Sequence, residues 1–216
     1  MLIANQVLFD YSNTQFRGYL DPMDRGAQSL IIDYLNNPKI AGGICLMLSI
    51  NWIIESVGTA GPATAWQTMK SHGPIYFKQI GQQQQGYQND ITQLTGGNHK
   101  ATVKECVQLA SRNARDVARN IDATTVTDFA AAVGTGLGAS STVPPTSLLV
   151  FWFAEGGGHA VAAARKDGIT YLYDPNFGVL KVDPKTGSID DLITKLFAAY
   201  KHFNLTLTTG FVAVIS

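Results

Sequence analysis

The hydrophobic period of the chain changes near residue 145. Before that point apolar positions recur three and four residues apart; after it they come in short β-branched and aromatic blocks, the marks of helix and strand respectively. Asp24 to Asn36 sets Leu30, Ile31 and Leu35 on one stripe and closes on Asn36-Asn37-Pro38, a helix stop. Gly42-Gly43 reads as a turn, and Cys45 to Val57, apolar nearly all round and ended by Gly58, as a buried central helix. Shorter helices are expected at 62–71 and 74–81, with Gly81-Gln-Gln-Gln-Gln-Gly86 as an exposed polar loop. Residues 100–120 read as one amphipathic helix, with Val103, Cys106, Val107, Leu109 and Ala110 inward and Arg112, Arg115, Asp116 and Arg119 on a solvated face. Thr125 to Val133 reads as a further short helix.

Ser147 to Phe153, His159 to Arg165, Ile169 to Tyr173 and Phe177 to Val182 then read as strands. A helix from Ser188 to Phe203 follows, and Thr206 to Ile215 ends the series as a strand. Helices first and a mostly antiparallel sheet second is an α+β plan. It predicts a single domain over 1–216, with a helical part at about 20–140 and a sheet part at about 145–216.

Composition narrows the function classes. Of 216 residues 45% are hydrophobic, enough for a substantial core, and 16 basic residues balance 16 acidic ones. That balance argues against a nucleic-acid surface or a polybasic membrane patch. No run approaches the roughly 18 apolar residues of a membrane span. Met-Leu-Ile-Ala-Asn-Gln lacks the basic start of a Sec-type signal, which leaves export by a specialised secretion system open. Cys45 and Cys106 are too few for a disulfide framework. No Cys/His cluster has zinc spacing and no glycine-rich loop is placed to cradle a phosphate, so no metal or cofactor is expected.

Candidate chemistry begins at Cys45, where loop becomes helix. A helix N-terminus favours thiolate and offers backbone N–H groups to an oxyanion, that of Cys45 among them. The required base and orienting acid lie downstream. If Asp167-Gly168 form a two-residue hairpin loop, Lys166 pairs with Ile169. His159 then falls opposite Asn176, and Asp174 is its diagonal neighbour on the same face, within reach of a carboxylate–imidazole hydrogen bond. Pro175 biases Asp174 towards extended backbone. The glycines at 156–158 are expected to leave open space beside His159. Cys45, His159 and Asp174 thus form a full set of nucleophile, base and orienting acid.

Three blocks carry a resemblance: A-G-G-I-C-L-M-L-S-I-N-W-I, G-G-H-A-V-A-A and Y-L-Y-D-P-N-F-G. Together they resemble the motifs of YopT/AvrPphB-type cysteine peptidases of the papain-like clan, in the same Cys, His, Asp order. The resemblance implies a papain-like fold, with an N-terminal helical lobe bearing Cys45 and a C-terminal antiparallel sheet lobe bearing His159 and Asp174. It also implies a bacterial effector delivered into a target cell, hydrolysing a protein there through a thioacyl-enzyme and in some members cleaving itself. A secretion chaperone or an immunity protein would be further partners, and a monomer is expected. The pattern departs from papain-like enzymes upstream of the cysteine. A Gln or Asn five or six residues before it usually completes the oxyanion hole, whereas Lys39 and Ile40 stand there. Asn37, or Asn36, could be brought into place by a bend at Pro38.

Alternatives stand beside this reading. Asn176 rivals Asp174, because papain uses an amide in that role, and it could instead support Asp174. Cys106, His72, His99 and His202 read as ordinary packing residues, and Trp52 and Trp152 as core or cleft walls. The same triad could serve a glutamine deamidase or transglutaminase, and Lys39 and Ile40 leave room for a binding module with a degenerate site.

Overall fold

The structure, a computed structural model, describes residues 44–216 apart from 59, 60 and 113. The expected helix at 24–36, the Gly42-Gly43 turn and Asn36, Asn37, Lys39 and Ile40 lie outside the described residues. Helices α1 (Cys45–Val57), α2 (Ala65–Ser71), α3 (Gly73–Leu94) and α4 (His99–Ala110) come first. Strand β1 (Val117–Ala123) and helix α5 (Val126–Ala139) follow, then β2 (Thr146–Phe153), β3 (Gly158–Lys166), β4 (Ile169–Asp174) and β5 (Gly178–Val182). Helix α6 (Ile189–His202) and strand β6 (Leu207–Ile215) complete the order.

The six strands form one sheet in the order β1-β6-β2-β3-β4-β5, with every neighbouring pair antiparallel. Because side chains alternate across a strand, the sheet feeds two cores. Leu148, Val150, Ala160, Ala162 and Tyr173 pack with α1 to α4 on one face. Leu149, Phe151, Val161, Ala163 and Leu172 pack with α5 and α6 on the other. Both faces are therefore covered, and β2 reads as a continuous apolar run rather than an alternating one. Helix α1 lies on the first face, and Ser49 Oγ ties it to β3 by donating to the Ala160 carbonyl at 2.9 Å.

Two elements differ from the sequence expectation. The run at 81–86 is not a loop: α3 continues through it to Leu94. Glutamine is a good helix former, and the buried stripe Phe77, Ile80, Gln84 keeps helical spacing with a polar residue in its last place. The helix expected over 100–120 stops at Ala110, and Val117–Ala123 is a strand. Arg112 turns the chain with a positive φ of 54°, and β1 then pairs with β6 from Val117–Ile215 to Ala123–Gly210. Only the two ends of β1 are buried, so its period of two is scarcely visible in the sequence. The sheet thus draws one edge strand from the stretch expected to be helical. The other expected strands and the helices at 45–57, 125–133 and 188–203 are present, the second running on to Ala139.

Candidate active site

Cys45 is the first residue of α1 and is partly exposed. Its helix starts without a side-chain cap, since the N-cap residue is Ile44. His159 enters near the start of β3 and Asp174 ends β4. The hairpin joining them has the expected register, from Lys166–Ile169 to Ala162–Tyr173. Asp167 and Gly168 both have positive φ, 53° and 80°, as a two-residue hairpin turn of this hand requires.

The register delivers the carboxylate to the imidazole. His159 Nε2 and Asp174 Oδ1 are 3.1 Å apart, with His159 7% exposed and Asp174 wholly buried. With Nε2 engaged, Nδ1 is the ring nitrogen left for the thiol, and Cys45 and His159 line the same cleft. Asp174 is itself held at both oxygens. Oδ1 accepts the Asn176 N–H at 2.7 Å, and Oδ2 accepts the Tyr200 O–H at 2.7 Å. Asn176 does not take the place of Asp174: its side-chain amide donates to Tyr200 Oη at 3.1 Å. It braces the residue that braces the carboxylate.

Burial acts against charge here, and pairing overcomes it. Burial pushes the Cys45 thiol up, but the charge of His159, its hydrogen bond and the Ala160 backbone together bring the thiol below its ordinary value. Burial likewise disfavours the His159 imidazolium, yet Asp174 and Cys45 hold the ring well above the ordinary histidine range. Both directions favour a thiolate–imidazolium pair. Tyr200 is driven well above the usual phenol range, by burial first and then by the Asp174 charge, so its proton stays in the bond to the carboxylate.

A cleft with about 610 Å³ of open space adjoins the thiol, lined by Leu46, Gln84, His99, Trp152 and Gly158 among others. Among the described residues its lining holds no acidic or basic side chain apart from the histidines. Trp152 is a cleft wall, with the His99 ring 4.7 Å away, so His99 belongs to the cleft rather than to packing alone. Trp52 is a core residue stacked on Tyr173 at 5.6 Å. The expected open space is found at two of the three glycines, since a Cβ on Gly156 or Gly157 would meet nothing within 4 Å. Gly156 and Gly157 make a turn with φ of 94° and 83°. Gly158 is crowded: a Cβ there would lie 3.0 Å from Trp152 Nε1. Cys106 is a buried free thiol, pushed up to about 11 by burial and then by Glu105. His72 lies 3.6 Å from Glu55 Oε1.

Sequence reasoning missed Tyr200 and Gln84. Tyr200 lies on the inner face of α6, where its only local signal is a hydroxyl among apolar neighbours. Gln84 was hidden in a low-complexity run. Of the two backbone and side-chain donors expected for an oxyanion, the Cys45 N–H stands at the cleft, and Asn37 falls outside the described residues. Among the described residues no helix is long and apolar enough to cross a membrane, and no three His, Cys, Asp or Glu residues could hold a metal ion.

Comparison with known proteins points one way. The family model Peptidase_C58, described as Yersinia/Haemophilus virulence surface antigen, matches residues 6–209. A protein of Sinorhizobium fredii described as a YopT-like cysteine protease is 47% identical over 57 residues. A second protein so described, from Bradyrhizobium diazoefficiens, is 39% identical over 57 residues. Each of these matches covers 26% of this chain and 21% of the relative, so the matched part spans about a fifth of those proteins. The crystal structure of the Pseudomonas avirulence protein AvrPphB superposes with a TM-score of 0.62 at 21% identity, over 85% of this chain and 94% of that one. At that identity the likeness establishes a shared fold.

Proposed function

The chain belongs to the Peptidase_C58 family, and from that premise we propose that it is a cysteine endopeptidase cleaving a protein of a target cell. Cys45 is the nucleophile, His159 the base and Asp174 the acid that orients the base. The reading is carried by one observation, the buried hydrogen-bonded chain from His159 through Asp174 to Tyr200, with His159 beside the Cys45 thiol in one cleft.

The chemistry follows from that chain. His159 takes the thiol proton, and the thiolate attacks the scissile carbonyl. The imidazolium returns the proton to the departing amine, leaving a thioacyl-enzyme that water hydrolyses with His159 again as base. Asp174 fixes the ring with Nε2–H towards the carboxylate, so that Nδ1 faces the thiol. A target-cell substrate implies delivery as an effector by a specialised secretion system, and cleavage of the chain's own sequence would use the same site.

The test is N-terminal proteomics of target-cell lysate treated with wild type, Cys45→Ala and His159→Ala. New N-termini that appear only with the wild type support the reading, provided both variants keep the wild-type circular dichroism spectrum. Wild-type levels of cleavage by either variant would refute it. A substrate altered in mass without chain scission would replace peptidase with glutamine deamidase or transglutaminase chemistry at the same thiol.

A further inference from the structure

One glutamine of the 81–86 run is buried in the cleft. Gln84 is 4% exposed and stands beside Cys45, Leu46 and His159 in the cleft lining. It continues the inner stripe of Phe77 and Ile80 on α3, where an apolar side chain would avoid the cost of burying an amide. Its Oε1 accepts the Met47 N–H at 3.1 Å, across 37 residues of sequence. Because a backbone N–H only donates, that bond assigns the oxygen end of the amide and identifies the other end as NH₂.

The bond answers a local need. The first turn of α1 has N–H groups with no partner inside the helix, and the side chain of Ile44 at the N-cap has no oxygen to accept them. Gln84 supplies the missing acceptor from another helix. A cap, however, needs only an oxygen. A carboxylate would cap Met47 as well and suit the positive end of the helix better, but it would oppose both a thiolate and an oxyanion in the same cleft. An amide provides the acceptor without charge and adds donors next to the nucleophile.

We propose that Gln84 is the side-chain donor of the oxyanion hole, its Oε1 anchored on Met47 and its Nε2 acting with the Cys45 N–H. When the Cys45 thiolate attacks, the C–S bond forms and the carbonyl π pair moves to oxygen. The Gln84 Nε2–H and the Cys45 N–H donate to that oxygen. Collapse restores the carbonyl and breaks the C–N bond, and the amine leaves with the proton from His159. The assignment rests on the peptidase reading above, and places the donor downstream of the cysteine instead of in the segment before it.

Gln84→Glu separates the two roles, since it keeps the acceptor for Met47 and removes the donor. Steady-state cleavage is measured on a peptide spanning a site found by the proteomics, in parallel with alkylation of Cys45 by iodoacetamide, which passes through no oxyanion. Gln84→Glu and Gln84→Met, which keeps the side-chain volume, are each expected to lower kcat by roughly a hundred- to thousandfold. KM should change far less, as should the alkylation rate of Gln84→Met; in Gln84→Glu the new carboxylate opposes the thiolate and slows alkylation as well. Gln84→Met carries the test alone if Gln84→Glu does not fold. Retention of kcat within about tenfold in either folded variant overturns the assignment, as does alkylation of Gln84→Met that falls in step with its kcat. If the wild type turns over no substrate, the peptidase reading fails and the assignment with it; turnover that the variants share removes the assignment alone.

Discussion

Replacing Tyr200 by phenylalanine removes one oxygen from the site and little else. The ring would keep its contacts with Phe151, Phe153, Phe177 and His159, whose centroids lie 5.2–5.8 Å away. The lost bond is an O–H donating to a wholly buried carboxylate at 2.7 Å. A hydrogen bond to a charged group of this kind contributes about 2 kcal/mol. Asn176, which also loses an acceptor, is only partly buried and can turn to water. For a chain of 216 residues that loss lowers Tm by roughly 4–8 °C. Asp174 would then be held at Oδ1 alone, and the imidazole it orients would be less firmly placed. A fall in kcat of about tenfold is expected, short of the hundredfold that a full ångström of misplacement can cost. The pH dependence has a definite sign. Tyr200 is raised in the folded state, by burial first and then by Asp174, so its contribution is complete below the unfolded tyrosine pKa of about 10 and is lost as pH rises beyond it. The stability gap between wild type and variant should therefore be level near neutrality and close in alkali. Thermal melts from neutral to alkaline pH, with steady-state cleavage, test this. An unchanged Tm and kcat in a folded Tyr200→Phe protein would refute the claim that this hydroxyl supports the carboxylate.

Other expectations concern the thiol, the acid and the sheet. Cys45 is lowered and His159 raised, so alkylation of Cys45 by iodoacetamide should already be fast below the ordinary thiol range, while Cys106 stays unreactive. In His159→Ala burial is left without its main opponent and the profile should move to higher pH; a wild-type profile like that of a free thiol would contradict the ion pair. Asp174→Asn can still accept from His159 Nε2, whereas Asp174→Ala cannot, so the asparagine variant should retain at least tenfold more kcat/KM, in keeping with the size of base-positioning effects. Equal loss in the two would show that charge, not ring orientation, is what Asp174 supplies. At Gly210 a Cβ would overlap the Val150 carbonyl oxygen and the Phe129 ring; Gly210→Ala should cost about 3 kcal/mol, and a wild-type Tm would be evidence against the β2–β6–α5 packing.

Much of this protein was determined locally. Asp167-Gly168 dictates a two-residue turn, and that turn alone sets the register that carries His159 to Asp174. The Asp-Pro-Asn step likewise contains its own hydrogen bond, from the Asn176 N–H to Asp174 Oδ1. Short-range geometry of this kind follows from the chain because its partners are a few residues apart. Other features depend on partners that no local pattern names. Val117–Ala123 is a strand because β6 offers it an edge, although its charges have helical spacing. Residues 81–86 are helical because Phe77 and Ile80 anchor the turns before them on the core, although the run itself is polar. Tyr200 reaches Asp174 across 26 residues and Gln84 reaches Met47 across 37. The sequence by itself singled out a thiol, an imidazole and a carboxylate, and the last two are hydrogen-bonded in the fold. Only the tertiary structure decided which hydroxyl steadies the carboxylate and which amide caps the helix of the thiol, because a buried polar group takes whatever partner the packing of distant elements brings within hydrogen-bond reach.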